Sequence, residues 1–367
     1  MSRFRFAPIP AALPATVPFT GPETLEARRG APFRARLGAN ENGFGPSPRA
    51  IAAMARAASE VWKYGDPDSH DLRHALAAHH RVAAENIMLG EGIDGLLGLL
   101  VRLMVAPGQG VVTSDGAYPT FNYHVAGFGG VLHKVPYRDD AEDPAALTRA
   151  AHETGARLVY LANPDNPMGS WHPGARITAM LDDLPASSLL VLDEAYAEFA
   201  PDDAIPQIDP EDARVIRFRT FSKAYAMAGA RVGYAIGPAE LIAGFDRIRN
   251  HFGINRIAQI GALAALQDRD WLAHIMTEVA AARARIGAIA RENGLTPLPS
   301  ATNFVAIDCH RDGAFARRLL AALADEGIFA RMPGVAPMDR CIRVSCGPEA
   351  ELAAFADALP RALRAAD

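Results

Sequence analysis

The stretch GEGIDG, Gly90–Gly95, sits between the apolar run Asn86–Leu89 and the helix-like GLLGLLVRLM of residues 95–104. It fits the dinucleotide-binding pattern G-x-G-x-x-G letter for letter. Asp115 closes the following strand-like GVVTSD, about where such folds keep their ribose-binding acid. The turn also suits any single phosphate, because a glycine corner at a helix N-terminus brings backbone N–H donors and the positive end of the helix dipole to an anion. Either reading makes the surrounding fold α/β. Position favours the second, since roughly ninety residues precede a motif with which the classical dinucleotide fold opens.

Outward from this turn, short β-rich runs alternate with helix-length segments. NIML, GVVTSD, VLHKVP, ARLVYLANP, LLVLDEAY, VIRFRTFSK and RVGYAIG read as strands between about 86 and 237. That alternation predicts a large domain with a mostly parallel open sheet covered by helices, whose ligand lies at the carboxyl ends of the strands. Ala-rich helices over about 255–293 lead to FVAID, a helix, IFARM, CIRVSCG and a last helix, which read as a smaller α+β domain. The expected division is an N-terminal arm with part of the small domain over 1–47, a cofactor-binding domain over 48–250 and the C-terminal small domain over 251–367.

The chain has 367 residues, 50% of them hydrophobic and 22% charged, with a net charge of −5 spread without a basic block. A small-molecule enzyme fits better than a nucleic-acid or membrane partner. Neither a signal peptide nor a membrane span is read from the sequence, and a cytoplasmic location is expected. Cys309, Cys341 and Cys346 form no C-x-x-C pair, and the histidines lack ligand spacing, so neither a disulfide framework nor a metal site is expected.

Four strand ends carry the chemistry. LLVLDEAY delivers Asp193 to the end of a buried strand, where a lone carboxylate is costly and calls for a cationic partner, with Tyr196 three residues on; taken alone, Asp193 reads more readily as a helix cap. In VIRFRTFSKAYAMAGARVGY, Lys223 follows Ser222 at a strand end, and Arg231 stands among small and apolar residues. A lysine there could link covalently to an aldehyde cofactor, with Ser222 and Arg231 on its phosphate. The two Asn-Pro steps of ANPDNPMGS make a rigid turn that can present the Asn166 amide, or serve only as a surface turn. In CIRVSCG, Arg343 is either a structural ion pair or a bidentate clamp for a carboxylate.

Together with GANENGFGPSP, Tyr64-Gly-Asp-Pro and YPTF, these motifs resemble the fold-type I pyridoxal-phosphate aminotransferases, in particular the histidinol-phosphate aminotransferase family, over about nine-tenths of the chain. The resemblance implies an aspartate-aminotransferase-like fold and pyridoxal 5′-phosphate as cofactor. Lys223 would hold the cofactor and move the substrate proton, and Asp193 would pair with the pyridine nitrogen. Tyr196 and Asn166 would hydrogen-bond the ring oxygen, and Phe121 would stack on the ring face. The turn at Gly92 would feed the amides of Ile93 and Asp94 to the phosphate, joined by Ser222 and Arg231. Arg343 would clamp the carboxylate of the amino donor or its 2-oxo-acid partner, while Arg331 in IFARM would bind a substrate phosphate. Tyr64 would reach the neighbouring site of a homodimer.

Three positions depart from that family's pattern. Phe19 stands where a tyrosine is usual, Met168 replaces a threonine, and Gly95 replaces an acidic residue. Histidinol phosphate with 2-oxoglutarate is the leading substrate pair. An aromatic amino-acid aminotransferase and a decarboxylase of the threonine-phosphate type are the alternatives. A sensor module without turnover would be expected to lack the lysine, and a nicotinamide dehydrogenase would leave Lys223, Asp193 and Asn166 without a joint explanation.

Overall fold

The computed structural model describes residues 4–15 and 19–367. Its strands are β1 (Ala35–Arg36), β2 (Ile87–Gly90), β3 (Gly110–Ser114), β4 (Val131–Val135), β5 (Leu158–Ala162), β6 (Leu189–Asp193), β7 (Val215–Thr220), β8 (Gly233–Ile236), β9 (Thr296–Pro297), β10 (Phe304–Asp308), β11 (Ile328–Phe329) and β12 (Cys341–Ser345). Seven of them, in the order β2-β8-β7-β6-β5-β3-β4, form one sheet in which only β8 runs antiparallel to its neighbours. These are the seven runs the sequence marks as strands. Every residue of β5 and β6 is buried, because helices cover both faces. One face packs Val191 and Tyr160 against Leu97 and Leu100 of the helix Gly92–Met104, and the other packs Leu161 and Leu192 against Leu147 and Ile177.

The smaller unit pairs β10 antiparallel with β12 and β9, beneath the helices Arg269–Glu292, Gly313–Asp325 and Glu349–Ala366. The N-terminal arm joins it through β1, which runs parallel to β11 in register Ala35 with Ile328. The helix Arg256–Gln267, expected in the C-terminal unit, packs instead on the large one. Its Ala258, Ala262 and Leu266 share a core with Ala50, Leu72 and Leu76. The chain therefore crosses at Asp268 rather than near 250. Ser47, on the outward crossing, donates from Oγ to Asp268 Oδ2 at 2.5 Å, and each residue also caps the helix that follows it. Among the described residues, no helix is long and apolar enough to cross a membrane, and no cluster of metal-ligating side chains occurs.

Candidate active site

The carboxyl ends of β5, β6 and β7 open into a cleft of about 550 Å³, closed from the far side by the small unit and by residues 39–41 of the arm. Asp193, the last residue of β6, lines its floor and is 5% exposed. Tyr160 donates to its Oδ2 at 2.7 Å and the Ala195 amide to its Oδ1 at 3.0 Å. Among the described residues no cation pairs with it, and burial raises its pKa to about 6. The helix-cap reading of Asp193 fails, because the short helix Ala197–Phe199 that follows begins at Tyr196 and has no side-chain cap. A buried acid in this state binds a cationic partner favourably.

Lys223, three residues past β7, reaches the same cleft and donates from Nζ to the Asn40 carbonyl at 3.0 Å. Burial lowers its pKa to about 8, and the nearby Arg343 charge acts in the same direction. A sizeable neutral fraction near neutrality is what a lysine nucleophile requires. Tyr196 lines the wall beside it. Its hydroxyl accepts from Asn40 Nδ2 at 3.1 Å, and burial pushes its pKa up to about 12.

The phosphate turn is built from two glycines that no other residue could replace without displacement. Gly92 has φ +74°, and a Cβ there would stand 2.5 Å from Arg231 Nη2; a Cβ on Gly233 would meet the Gly92 and Ile93 backbone at 2.7 Å. Ile93 and Asp94 then line the cleft in the first turn of the helix. Ser222 Oγ accepts from Thr220 Oγ1 at 3.0 Å and from Arg231 Nη1 at 3.4 Å, and Arg231 Nη2 reaches Asp94 Oδ2 at 3.2 Å. Gly95 abuts Glu91 rather than the cleft. Asp115, the would-be ribose acid, is bound to Lys134 Nζ at 3.1 Å, outside this cradle.

Arg343 and Arg331 occupy the opposite wall. Their backbones exchange two hydrogen bonds, so both side chains are delivered by one antiparallel bridge. Arg343 donates from Nη1 to Asn166 Oδ1 and lies over the Phe304 ring at 5.1 Å. Its Nε is buried without a partner, it has no carboxylate within ion-pair range among the described residues, and burial lowers its pKa to about 10. Arg331 also lacks a carboxylate; its Nη2 donates to the Thr20 carbonyl at 2.9 Å, and Phe19 and Phe329 flank the guanidinium.

One expectation about the site needs correction. Phe121 is not at the cleft; it is fully buried and stacked on Tyr160 at 4.8 Å, behind the floor. The cleft wall carries Tyr118 of the same YPTF stretch, since the helix Pro119–Gly127 turns Phe121 into the core. Met168, one of the departures from the family's pattern, is buried beside Ala306, Met338 and Cys341 while its amide donates to Asp165. Tyr64 is absent from its own chain's cleft. It is 79% exposed and packs on Phe252, as a residue reaching outward must be. Sequence reading missed Asn40 and Tyr160. Asn40, at φ +53°, bonds Tyr196, Lys223 and Ser345, and a tyrosine in the aliphatic β5 run was the available signal for Tyr160.

The group these residues fit is one phosphate joined to a cationic ring. The cradle is closed to any Cβ, and among the described residues the acid lacks a cation and the Arg343 Nε–H lacks an acceptor. Residues 35–359 match the family model described as aminotransferase class I and II. Histidinol-phosphate aminotransferase 1 of Mesorhizobium japonicum is 37% identical over 345 residues, covering 92% of each chain. The crystal structure of histidinol-phosphate aminotransferase from Sinorhizobium meliloti in complex with pyridoxal-5′-phosphate superposes with a TM-score of 0.95 at 54% identity, covering 98% of both chains. Aspartate aminotransferase from Thermus thermophilus with maleate shares the fold, with a TM-score of 0.80 at 23% identity over 93% of this chain and 94% of that one. A buried lysine and a bare aspartate beside a glycine phosphate turn are thus set in a scaffold common to these proteins, and the chain belongs to the class I and II aminotransferase family.

Proposed function

We propose that the protein is a pyridoxal 5′-phosphate-dependent aminotransferase that exchanges an amino group between histidinol phosphate and 2-oxoglutarate. The observation that carries this reading is one cleft holding a lysine amine of lowered pKa, a buried carboxylate without a cation and an unpartnered guanidinium N–H. The cofactor, when bound, supplies an electron sink for the bonds of the substrate α-carbon. Ser222, Arg231 and the amides of Ile93 and Asp94 hold its phosphate. Asp193 would pair with the pyridine nitrogen and keep it protonated, and Tyr196 and Asn166 would donate to the ring oxygen. Lys223 would hold the cofactor through its amine and would move the proton of the donor carbon that bears the amino group. Tyr118, in place of Phe121, covers the ring.

Arg343 serves the glutamate carboxylate, and Arg331 the donor's phosphate. Val61, Trp62, Tyr64 and Phe252 are exposed, which suits a face covered by a second copy, and a homodimer would bring Tyr64 to the neighbouring site. Reaction choice is tested on the purified protein. Histidinol phosphate should convert the bound cofactor to its amine form without release of carbon dioxide. Arg331→Ala should raise the Michaelis constant for the phosphorylated donor by about tenfold or more and leave that of an aromatic amino acid nearly unchanged. Equal effects on both donors would remove the phosphate role, and carbon dioxide release would point to the decarboxylase.

A further inference from the structure

Among the described residues, four buried side-chain polar atoms have no partner: Thr113 Oγ1, Asn122 Oδ1, Asn303 Oδ1 and Arg343 Nε. Of these, Arg343 and Asn122 belong to side chains lining the cleft. The Arg343 atom is accounted for by a substrate carboxylate, and Asn122 has no role in the reading above. Its Oδ1 is buried without a partner among the described residues, and the residue as a whole is partly enclosed. An amide left so costs about 1–3 kcal/mol unless a ligand or water completes it.

The helix Pro119–Gly127 decides what that amide faces. Asn122 lies four residues beyond Tyr118, so the two side chains share one face of the helix and both meet the cleft, while Phe121 points into the core. The neighbouring Tyr123 ring touches Phe19 edge-on at 6.5 Å, and Phe19 in turn lies against the Arg331 guanidinium at 5.8 Å. Asn122 thus lines the cleft between Tyr118 and, one residue on, the ring that adjoins the Phe19–Arg331 pair. An amide turned about its last bond offers a donor or an acceptor from nearly the same position. A neutral imidazole, with one N–H and one bare nitrogen, matches either orientation, whereas a phenyl ring matches neither.

We infer that Asn122 is a specificity-determining residue, whose side-chain amide hydrogen-bonds a polar ring at the end of the donor's side chain and so selects an azole over a phenyl group. This deepens the preceding reading and rests on it for the donor's position in the cleft. A site built to bond a polar ring group loses more when that bond is removed than an apolar pocket loses on a similar change.

The test compares cofactor-loaded wild type, Asn122→Leu and Asn122→Gln in the first half-reaction, followed by the loss of the lysine-linked cofactor absorption. Histidinol phosphate, phenylalanine and tyrosine are the donors. Asn122→Leu should raise half-saturation for histidinol phosphate about tenfold, leave the limiting rate within about threefold and leave phenylalanine unchanged or improved. Asn122→Gln should recover part of the loss. Unaltered cofactor absorption and thermal unfolding establish that the variants fold. An equal shift for all donors, or none, overturns the inference. If wild type rejects histidinol phosphate, the substrate reading fails by itself, and the inference then fails as well unless Asn122→Leu lowers the preference for tyrosine over phenylalanine.

Discussion

The two walls of the cleft are built on opposite terms. On the phosphate wall Ser222, Thr220, Arg231 and Asp94 already bond one another, and the turn at Gly92 is held by contacts shorter than any Cβ could tolerate. Across the cleft, among the described residues, Arg343 has a bare Nε, Asn122 Oδ1 has no partner, and Arg331 is held by a carbonyl and aromatic faces. The cofactor stays and the substrates alternate. A resident group rewards preorganisation, because the cost of order is met during folding. A site shared by a glutamate carboxylate and a phosphorylated donor keeps polar groups that each ligand completes differently. The open valences thus lie where ligands exchange.

The largest effect that could break this comparison comes from Lys223→Ala. Transamination should fall by at least about four orders of magnitude, with the lysine-linked absorption band lost while pyridoxal phosphate still binds. A variant that retained that band would deny the lysine its role. On the substrate wall, Arg343→Ala should raise the Michaelis constant for glutamate about a hundredfold, since it removes a buried bidentate donor. The effect on an amino alcohol phosphate, which lacks the carboxylate, should be smaller; steady-state kinetics with each donor measures the ratio. On the phosphate wall, Gly92→Ala should cost about 1–2 kcal/mol from its left-handed backbone alone, besides displacing Arg231, and weaken cofactor affinity about tenfold without changing the preference between donors.

Stability of the cofactor-free protein sharpens the contrast further. Lys223 has a folded pKa of about 8, below the ordinary lysine value of 10.5. Below pH 8 both the folded and unfolded forms carry its proton, and the fold bears the full cost of a buried ammonium. As pH rises from 8 to 10.5 the unfolded chain binds more protons than the fold, and this penalty disappears. Lys223→Met should therefore stabilise the cofactor-free protein at pH 7, by about 1–3 kcal/mol, with the advantage shrinking across that window in denaturant titrations. The smallest functional effect belongs to Phe121→Leu. It should cost about 1–2 kcal/mol of stability and leave the visible spectrum as in wild type, whereas Tyr118→Ala should shift it.

Much of the fold was legible because parallel strands buried on both faces are written as continuous apolar runs. LVYLA and LLVLD could only be central strands, and their order along the chain carried the crossovers. The phosphate turn was legible for a similar reason, since Gly90, Gly92 and the helix after them act within a few residues of one another. Phe121 was misassigned because helix rotation, which a four-letter motif does not contain, decides whether it or Tyr118 meets the cleft. The place of Arg256–Gln267 was misread because its alanines suit either unit and only its partners distinguish them.

By itself, then, the sequence determined the sheet and the phosphate corner, which follow from local periodicity; Lys223, Asp193, Asn166 and Arg343 were candidates that each had a structural alternative until the resemblance to a family joined them. Tertiary structure alone decided what surrounds them. Asn40 bonds Tyr196 from 156 positions away, and Arg331 meets Thr20 from 311. Pairings across such distances depend on how the two units and the arm close over the cleft, and no local pattern of residues records that closure.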